Sequence, residues 1–409
     1  FSPTQGQYEV TRYNGLIALD LNKERIRIKG QIPFTDLKDI QAMFQRKVTL
    51  PVQWSGTGTG KVEAEGPFRF SDMSYTMSSN FYRGQIAGEA FDEMVFNVKS
   101  VGGLVKNERI TLSKASGGVE VKGQINPKGE IDAVIVGRGL RLEQSENLLK
   151  MGFDLQGLAD FTVLVHGQLP KPRVELNGRL SKVVLADQPA QDSVFKLNFL
   201  TDRIDGSGQF LGSTIQTDFT FPIADAAPFS FKFKARKWDF TSLFSLVSRS
   251  ARQIDFSTLL SMDIALQAPT GGFWNSSGRV DVSEFVIRKG GSQMAADKPM
   301  SLLLKSGVIN SDGFILTSGD SFLKLDVSGL KKDSLSASLN GKVELSLLGL
   351  FTPFISDLRG NMAISMDLKG TAAKPYLSGS AYIDKGYAKF NEFIHPFSNV
   401  RADVLFNDN

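Results

Sequence analysis

Hydrophobic and polar residues alternate along most of this chain with a period of two. In Phe229–Lys234 the residues Phe229, Phe231 and Phe233 take one parity, and Ser230, Lys232 and Lys234 take the other. Leu260, Met262, Ile264 and Leu266 repeat the pattern. So do Met362, Ile364, Met366 and Leu368, with Ala363, Ser365 and Asp367 between them. Val119–Ile125, Leu323–Val327, Leu335–Leu339 and Val400–Phe406 behave likewise. Successive side chains of a strand point to opposite faces, so each run predicts a strand with one apolar and one wetted face. Turn signals at Asn14-Gly15, Asn126-Pro127, Lys128-Gly129, Asp205-Gly206 and Asp312-Gly313 predict a meander of antiparallel strands.

The runs recur. Val62–Gly66, Phe161–Gly167, Leu260–Ala268 and Met362–Gly370 each close on a similar point, in steps of roughly 100 residues. Gly178, Gly278 and Gly379 each open a second run shortly after. Helical spacing is confined to short islands, one per step: Phe34–Phe44, Glu143–Met151, Phe240–Ser250 with Leu243 and Leu246, and Leu345–Phe354. The predicted repeats are 34–138, 139–236, 237–342 and a truncated 343–409, with 1–33 finishing an earlier one. No Pro/Ser-rich linker separates them, so one continuous β array is expected rather than separate domains. The chain starts at Phe1 and ends at Asn409 part-way through a repeat, so a segment of a longer protein is expected.

Composition narrows the field. Of 409 residues, 41% are hydrophobic and 22% charged, which fits an ordered protein. A net charge of +4 is spread too thinly for a nucleic-acid face, so no nucleic acid is expected as a partner. No cysteine is present, which removes disulfides and thiolate metal sites. The longest apolar stretch, Val343–Ile355, is shorter than a bilayer span and is broken by Pro353.

Catalytic chemistry finds little to work with. His166 and His395 are far apart in sequence and lack clustered carboxylates, so no metal, cofactor or enzymatic activity is expected. Gly56-Thr57-Gly58-Thr59-Gly60-Lys61 resembles a phosphate loop, but its spacing is wrong and Val62 stands where Ser or Thr is needed. A strand-connecting turn is expected there, and a second Gly-rich turn at Gly206-Ser207-Gly208. Asp202/Asp205 and Glu143/Glu146 read as solvated turn or helix faces, and Asn275-Ser276-Ser277 as a chance sequon.

One-faced strands in this quantity can close as a sandwich or barrel, or curl into an open trough with an apolar inner wall. The candidate lining comes from the apolar parity. In the second predicted repeat it is Val163, Phe219, Phe221, Phe229, Phe231 and Phe233. In the third it is Leu260, Met262, Ile264, Leu266, Leu302, Leu304, Leu323, Leu325 and Val327, and in the fourth Met362, Ile364, Met366 and Leu368. Such a wall holds hydrocarbon through non-directional burial, worth ~25 cal/mol per Å², without a single deep well. With strands ~4.8 Å apart and about five or six per repeat, the trough would be on the order of 100 Å long.

Gly370-Thr371-Ala372-Ala373-Lys374-Pro375-Tyr376-Leu377-Ser378-Gly379, and the strand after it, resemble the recurring unit of the TamB/AsmA-like envelope proteins. Residues 395–406 are similar to that family's next strand, and Gly167-Gln168-Leu169-Pro170-Lys171-Pro172-Arg173-Val174-Glu175-Leu176-Asn177-Gly178 is a second copy. Residues 268–282 are a degraded third copy, with Gly271-Gly272-Phe273 in place of Pro-X-Leu; the first repeat fits least. The resemblance implies an elongated, mainly β, taco-shaped groove in the periplasm of a Gram-negative bacterium. It also implies phospholipid as cargo, an inner-membrane anchor outside this segment and movement of lipid toward the outer membrane. Other readings are a scaffold for outer-membrane protein insertion through a barrel partner, a β-helix adhesin or glycan-processing enzyme, and a closed membrane barrel.

Overall fold

The structure, a computed structural model, describes residues 2–45, 53–68, 72–115, 117–152, 155–185, 188–241, 256–270, 273–289, 292–311, 313–331, 333–348, 355–371 and 373–406. Among the described residues strand accounts for 76% and helix for 6%, and the 27 strands described pair antiparallel without closing into a barrel. The chain falls into two compact units, Phe1–Val184 with Pro189–Thr201, and Leu185–Gln188 with Asp202–Asn409.

In the first unit, Ser2–Tyr8, Thr11–Asp20 and Arg25–Asp36 pair in sequence, and Arg25–Asp36 then pairs with Trp54–Pro67. The meander continues through Ser74–Ile86, Glu89–Val101, Leu104–Lys114, Gly117–Ile125, Glu130–Arg141 and Leu155–Gln168. Period-two alternation places residues of one parity in rows that run across the strands. Phe81, Met94, Leu112 and Val119 form one such row. Phe96, Ile110, Val121, Ile135 and Val163 form the next. The helix Leu37–Gln45 packs on the first row, where Leu37, Phe81, Phe91 and Met94 make a buried cluster.

Carboxylates fix the helical segments to the sheet. Asp39 Oδ2 accepts from the Thr11 amide at 2.9 Å, the Thr11 hydroxyl at 2.7 Å and the Val10 amide at 3.2 Å. At the helix Glu146–Lys150, Ser145 caps the Leu148 amide and donates its hydroxyl to Glu89 at 2.7 Å. Burial pushes the Glu146 carboxyl up, but Lys114 Nζ at 2.6 Å and the Ala90 amide at 3.0 Å outweigh it and hold it down at about 2.

The second unit begins with Arg203–Phe210, Ile215–Pro222, Phe229–Trp238, Phe256–Ala268 and Ser277–Lys289, each hydrogen-bonded to the next. Ser277–Lys289 then forks. Its first half pairs with Met300–Lys305 and its last residues with Ser292–Ala296. Ser292–Ala296 hands the ladder to Phe314–Ser318, followed by Ser321–Val327, Ala337–Glu344, Ile355–Thr371, Lys374–Phe390 and Phe397–Phe406. The short helix Leu345–Leu348 seats Leu345 in a buried cluster with Met362 and Ala381.

Helices therefore occupy the first, second and fourth expected islands, while residues 242–250 of the third, with Leu243 and Leu246, lie outside the described residues. Gly278 and Gly379, each expected to open a second run, have φ of +153° and +140° and stand opposite Leu266 and Met366. A Cβ at either would collide with a neighbouring strand's carbonyl, that of Ala265 or Ser365, which only glycine avoids.

Four expected turns are not turns. Gly56–Lys61 lies inside the strand Trp54–Pro67, Asn14-Gly15 inside Thr11–Asp20, and both Asp205-Gly206 and Gly206-Ser207-Gly208 inside Arg203–Phe210. The reason is packing from the neighbouring strand. Gly58 lies between Thr35 and the fully buried Phe81 in one row, and Gly15 presses against the backbone of Lys29 and Gly30. Glycine at these points makes room for a neighbour rather than reversing the chain.

Candidate functional site: an aromatic recess on the apolar face

The strands Ile215–Pro222 and Phe229–Trp238 carry the site. Register pairs Phe219 with Phe231 and Thr217 with Phe233, so these side chains share one face. The same face continues laterally from Phe231 to Leu266, and from Phe233 to Ile264 and Val280. Alternation would next put Ala235 and Lys237 on it. A register shift after Ala235 instead sets Trp238 opposite Leu260 and returns the indole to the apolar side.

Aromatic rings consequently touch in series. Centroids are 4.8 Å apart for Phe219–Phe221, 6.4 Å for Phe221–Phe231 and 6.3 Å for Phe231–Phe233. The series extends through Phe233–Trp238 at 6.2 Å, Trp238–Phe240 at 5.9 Å and Phe240–Phe285 at 6.0 Å. These separations lie within the favourable range for aromatic pairs. Over the series lies a recess of about 470 Å³, completed by Leu185, Phe210, Leu211 and Ile215. Among the described residues its single polar lining residue is Thr217, whose hydroxyl already donates to the Lys232 carbonyl at 3.1 Å.

The opposite face is ionic. Lys232 and Lys234 project there in exposed positions, and Arg236 holds Asp263 through contacts of 2.6 and 2.8 Å. Arg279 bonds Asp281 at 2.5 Å, and Asp281 accepts from Ser301. At the margin, Asp239 accepts from the Thr241 amide at 2.9 Å and the Thr258 hydroxyl at 3.0 Å. Burial works to raise the Asp239 carboxyl, but these hydrogen bonds prevail and hold it below the ordinary carboxylate range. That clasp fixes the backbone between Trp238 and Phe240. Among the described residues, no group of three or more His, Asp or Glu is placed to hold a metal ion. His166 pairs with Asp132 at 2.8 Å on an exposed surface of the first unit.

The expected lining residues divide by environment. Phe219, Phe221, Phe231 and Phe233 line the recess itself. Phe229, Leu266 and Leu304 are buried together beside it, with Ile264 packed against them. Leu260, Met262 and Leu302 are half-buried on the same face. Farther along this unit, Leu323 and Ile364 pack on Met294 and Val343, while Met362 is buried under Leu345. Leu325 and Met366 flank Leu339 in one row, and Val327 and Leu368 flank Ala337 in the next. Val163 belongs to the first unit, in the row with Ile135 and Val121. Sequence reasoning missed Trp238, Leu185, Phe210, Leu211 and Ile215. For Trp238 the signal was its place three residues past Ala235, out of phase by the one residue that a bulge supplies.

No family model, curated protein or solved structure matches the chain.

Proposed function

We propose that the protein is a lipid conduit, not an enzyme, whose apolar face carries phospholipid acyl chains between the two membranes of a Gram-negative envelope. The resemblance of residues 370–379 and 167–178 to the TamB/AsmA-like unit supplies the periplasmic setting, the inner-membrane anchor outside this segment and the outward route. One observation carries the reading. The recess over Phe219, Phe221, Phe231, Phe233 and Trp238 presents almost no polar group, and its one hydroxyl is already engaged. A surface of this kind gains by burying hydrocarbon and offers nothing to a headgroup. The wetted opposite parity keeps the protein soluble while one face stays apolar.

The test is photo-crosslinking in cells with labelled phospholipid, using a photoreactive phenylalanine analogue at Phe231 and, separately, at Lys232. These residues adjoin in sequence but lie on opposite faces. Lipid captured at 231 and not at 232 is the expected result. Equal capture at both positions, or none at either in folded protein, would remove the conduit reading. In that event a scaffold acting through strand edges on a barrel partner becomes the better account.

A further inference from the structure

The same arrangement recurs across this molecule: a glycine faces an aromatic residue directly across a strand pair, and the ring lies over the glycine. Gly84 faces Phe91, Gly137 faces Phe161, Gly178 faces Phe195 and Gly206 faces Phe219. In each pair a Cβ on the glycine would fall inside the envelope of the ring; at Gly137 it would stand 2.5 Å from Phe161 Cε1. Cross-strand neighbours are spaced so that a flat ring covers a bare glycine, which is how such pairs stabilise a sheet. Only Phe219 of these lines the aromatic recess.

We infer that the Gly206–Phe219 pair is the width gauge of the recess and makes it selective for unbranched hydrocarbon chains. This rests on the conduit reading above. With nothing beneath it, the Phe219 ring lies down on the sheet. Any side chain at 206 lifts the ring into the space above. Beyond Phe219 three rings are near-parallel, Phe221 and Phe231 inclined by 28° and Phe231 and Phe233 by 16°, before the Trp238 indole turns 59° from Phe233. Along Phe221, Phe231 and Phe233 a straight chain meets near-parallel rings in continuous contact, which a methyl branch interrupts. A branch must therefore open the wall or forfeit contact along the chain.

The experiment measures displacement of parinaric acid, an unbranched fluorescent fatty acid, from the whole chain by palmitic acid and by methyl-branched phytanic acid. For the unaltered protein, phytanic acid should compete about tenfold more weakly than palmitic acid, the scale of discrimination a hydrophobic pocket achieves. Gly206→Ala and Gly206→Leu should each weaken parinaric acid binding, the second more, with strand content unchanged by circular dichroism. Phe219→Ala removes the gauge from the other side, so at whatever affinity it binds parinaric acid, the preference of palmitic acid over phytanic acid should be lost. Gly206→Leu that binds normally, or Phe219→Ala that retains the full preference, would overturn the gauge while leaving the conduit standing. Failure of the unaltered protein to take up parinaric acid would overturn both.

Discussion

Ile264 gives the sharpest test of the apolar face. It stands between Phe233 and Val280 in register and packs on the cluster of Phe229, Leu266, Ala268 and Leu304. Because it is half-buried, Ile264→Ala should cost about 1–2 kcal/mol, roughly half the loss at a fully buried isoleucine. Ile264→Asp adds a carboxyl to a wall whose neighbouring lysines, Lys232 and Lys234, point the other way. An unpartnered neutral acid there costs about 1–3 kcal/mol more, and its ionised form is disfavoured further. The sign follows. Burial raises the folded-state pKa of this aspartate, so the folded state binds more protons than the unfolded one. Stability of the variant is highest at low pH. It falls as pH rises past ~3.9, the unfolded value, and levels off above the folded one. The neighbouring Ala265→Asp is the control. Ala265 is exposed and sits in register between Lys232 and Arg279, so the new charge gains cross-strand partners worth about 0.2–1 kcal/mol. Chemical denaturation across pH, with lipid crosslinking in cells, reads both effects. If Ile264→Asp folds as stably as Ala265→Asp and captures lipid as well, the face is not the apolar wall argued for here.

Phe81 is wholly buried against Leu37, Phe91 and Met94, so Phe81→Ala should cost about 3–5 kcal/mol and appear as a lower denaturant midpoint. Asp39→Ala removes the carboxylate that accepts from the Thr11 amide and hydroxyl, leaving the hydroxyl only Thr35. Hydrogen exchange should then speed up in the helix Leu37–Gln45, with about 1–3 kcal/mol lost; unchanged protection would show that the clasp is not what holds the helix. The Glu146 carboxyl is depressed from 4.5 to about 2, so its contribution is complete above 4.5 and disappears as pH falls toward 2. Unfolding curves of the unaltered protein and Glu146→Gln should therefore converge at the acid end and separate at neutral pH.

Some of the molecule is legible in the chain and some is not, and particular residues show the boundary. Phe229, Phe231 and Phe233 announce a one-faced strand because the backbone itself imposes a period of two, whatever surrounds it. The islands at Leu37 and Leu345 announce helix for the same local reason, a spacing near 3.6. Asn14-Gly15 and Gly206-Ser207-Gly208 were misleading, since glycine serves a turn and a crowded strand equally well in sequence. The choice at Gly206 is made by Phe219 on the adjoining strand.

Trp238 marks the limit from the other direction. Parity assigns it to the wetted face, and only the shift in pairing after Ala235 returns it to the apolar one. By itself the sequence determined that this is an antiparallel β protein with one apolar face, since alternation is a property of each strand alone. Tertiary structure alone decided which apolar side chains close into buried clusters, such as Leu266 and Leu304, and which, such as Phe219 and Phe233, line an open recess. That division depends on register, bulges and the residue facing each ring across a strand pair, and these are relations between segments that no single segment encodes.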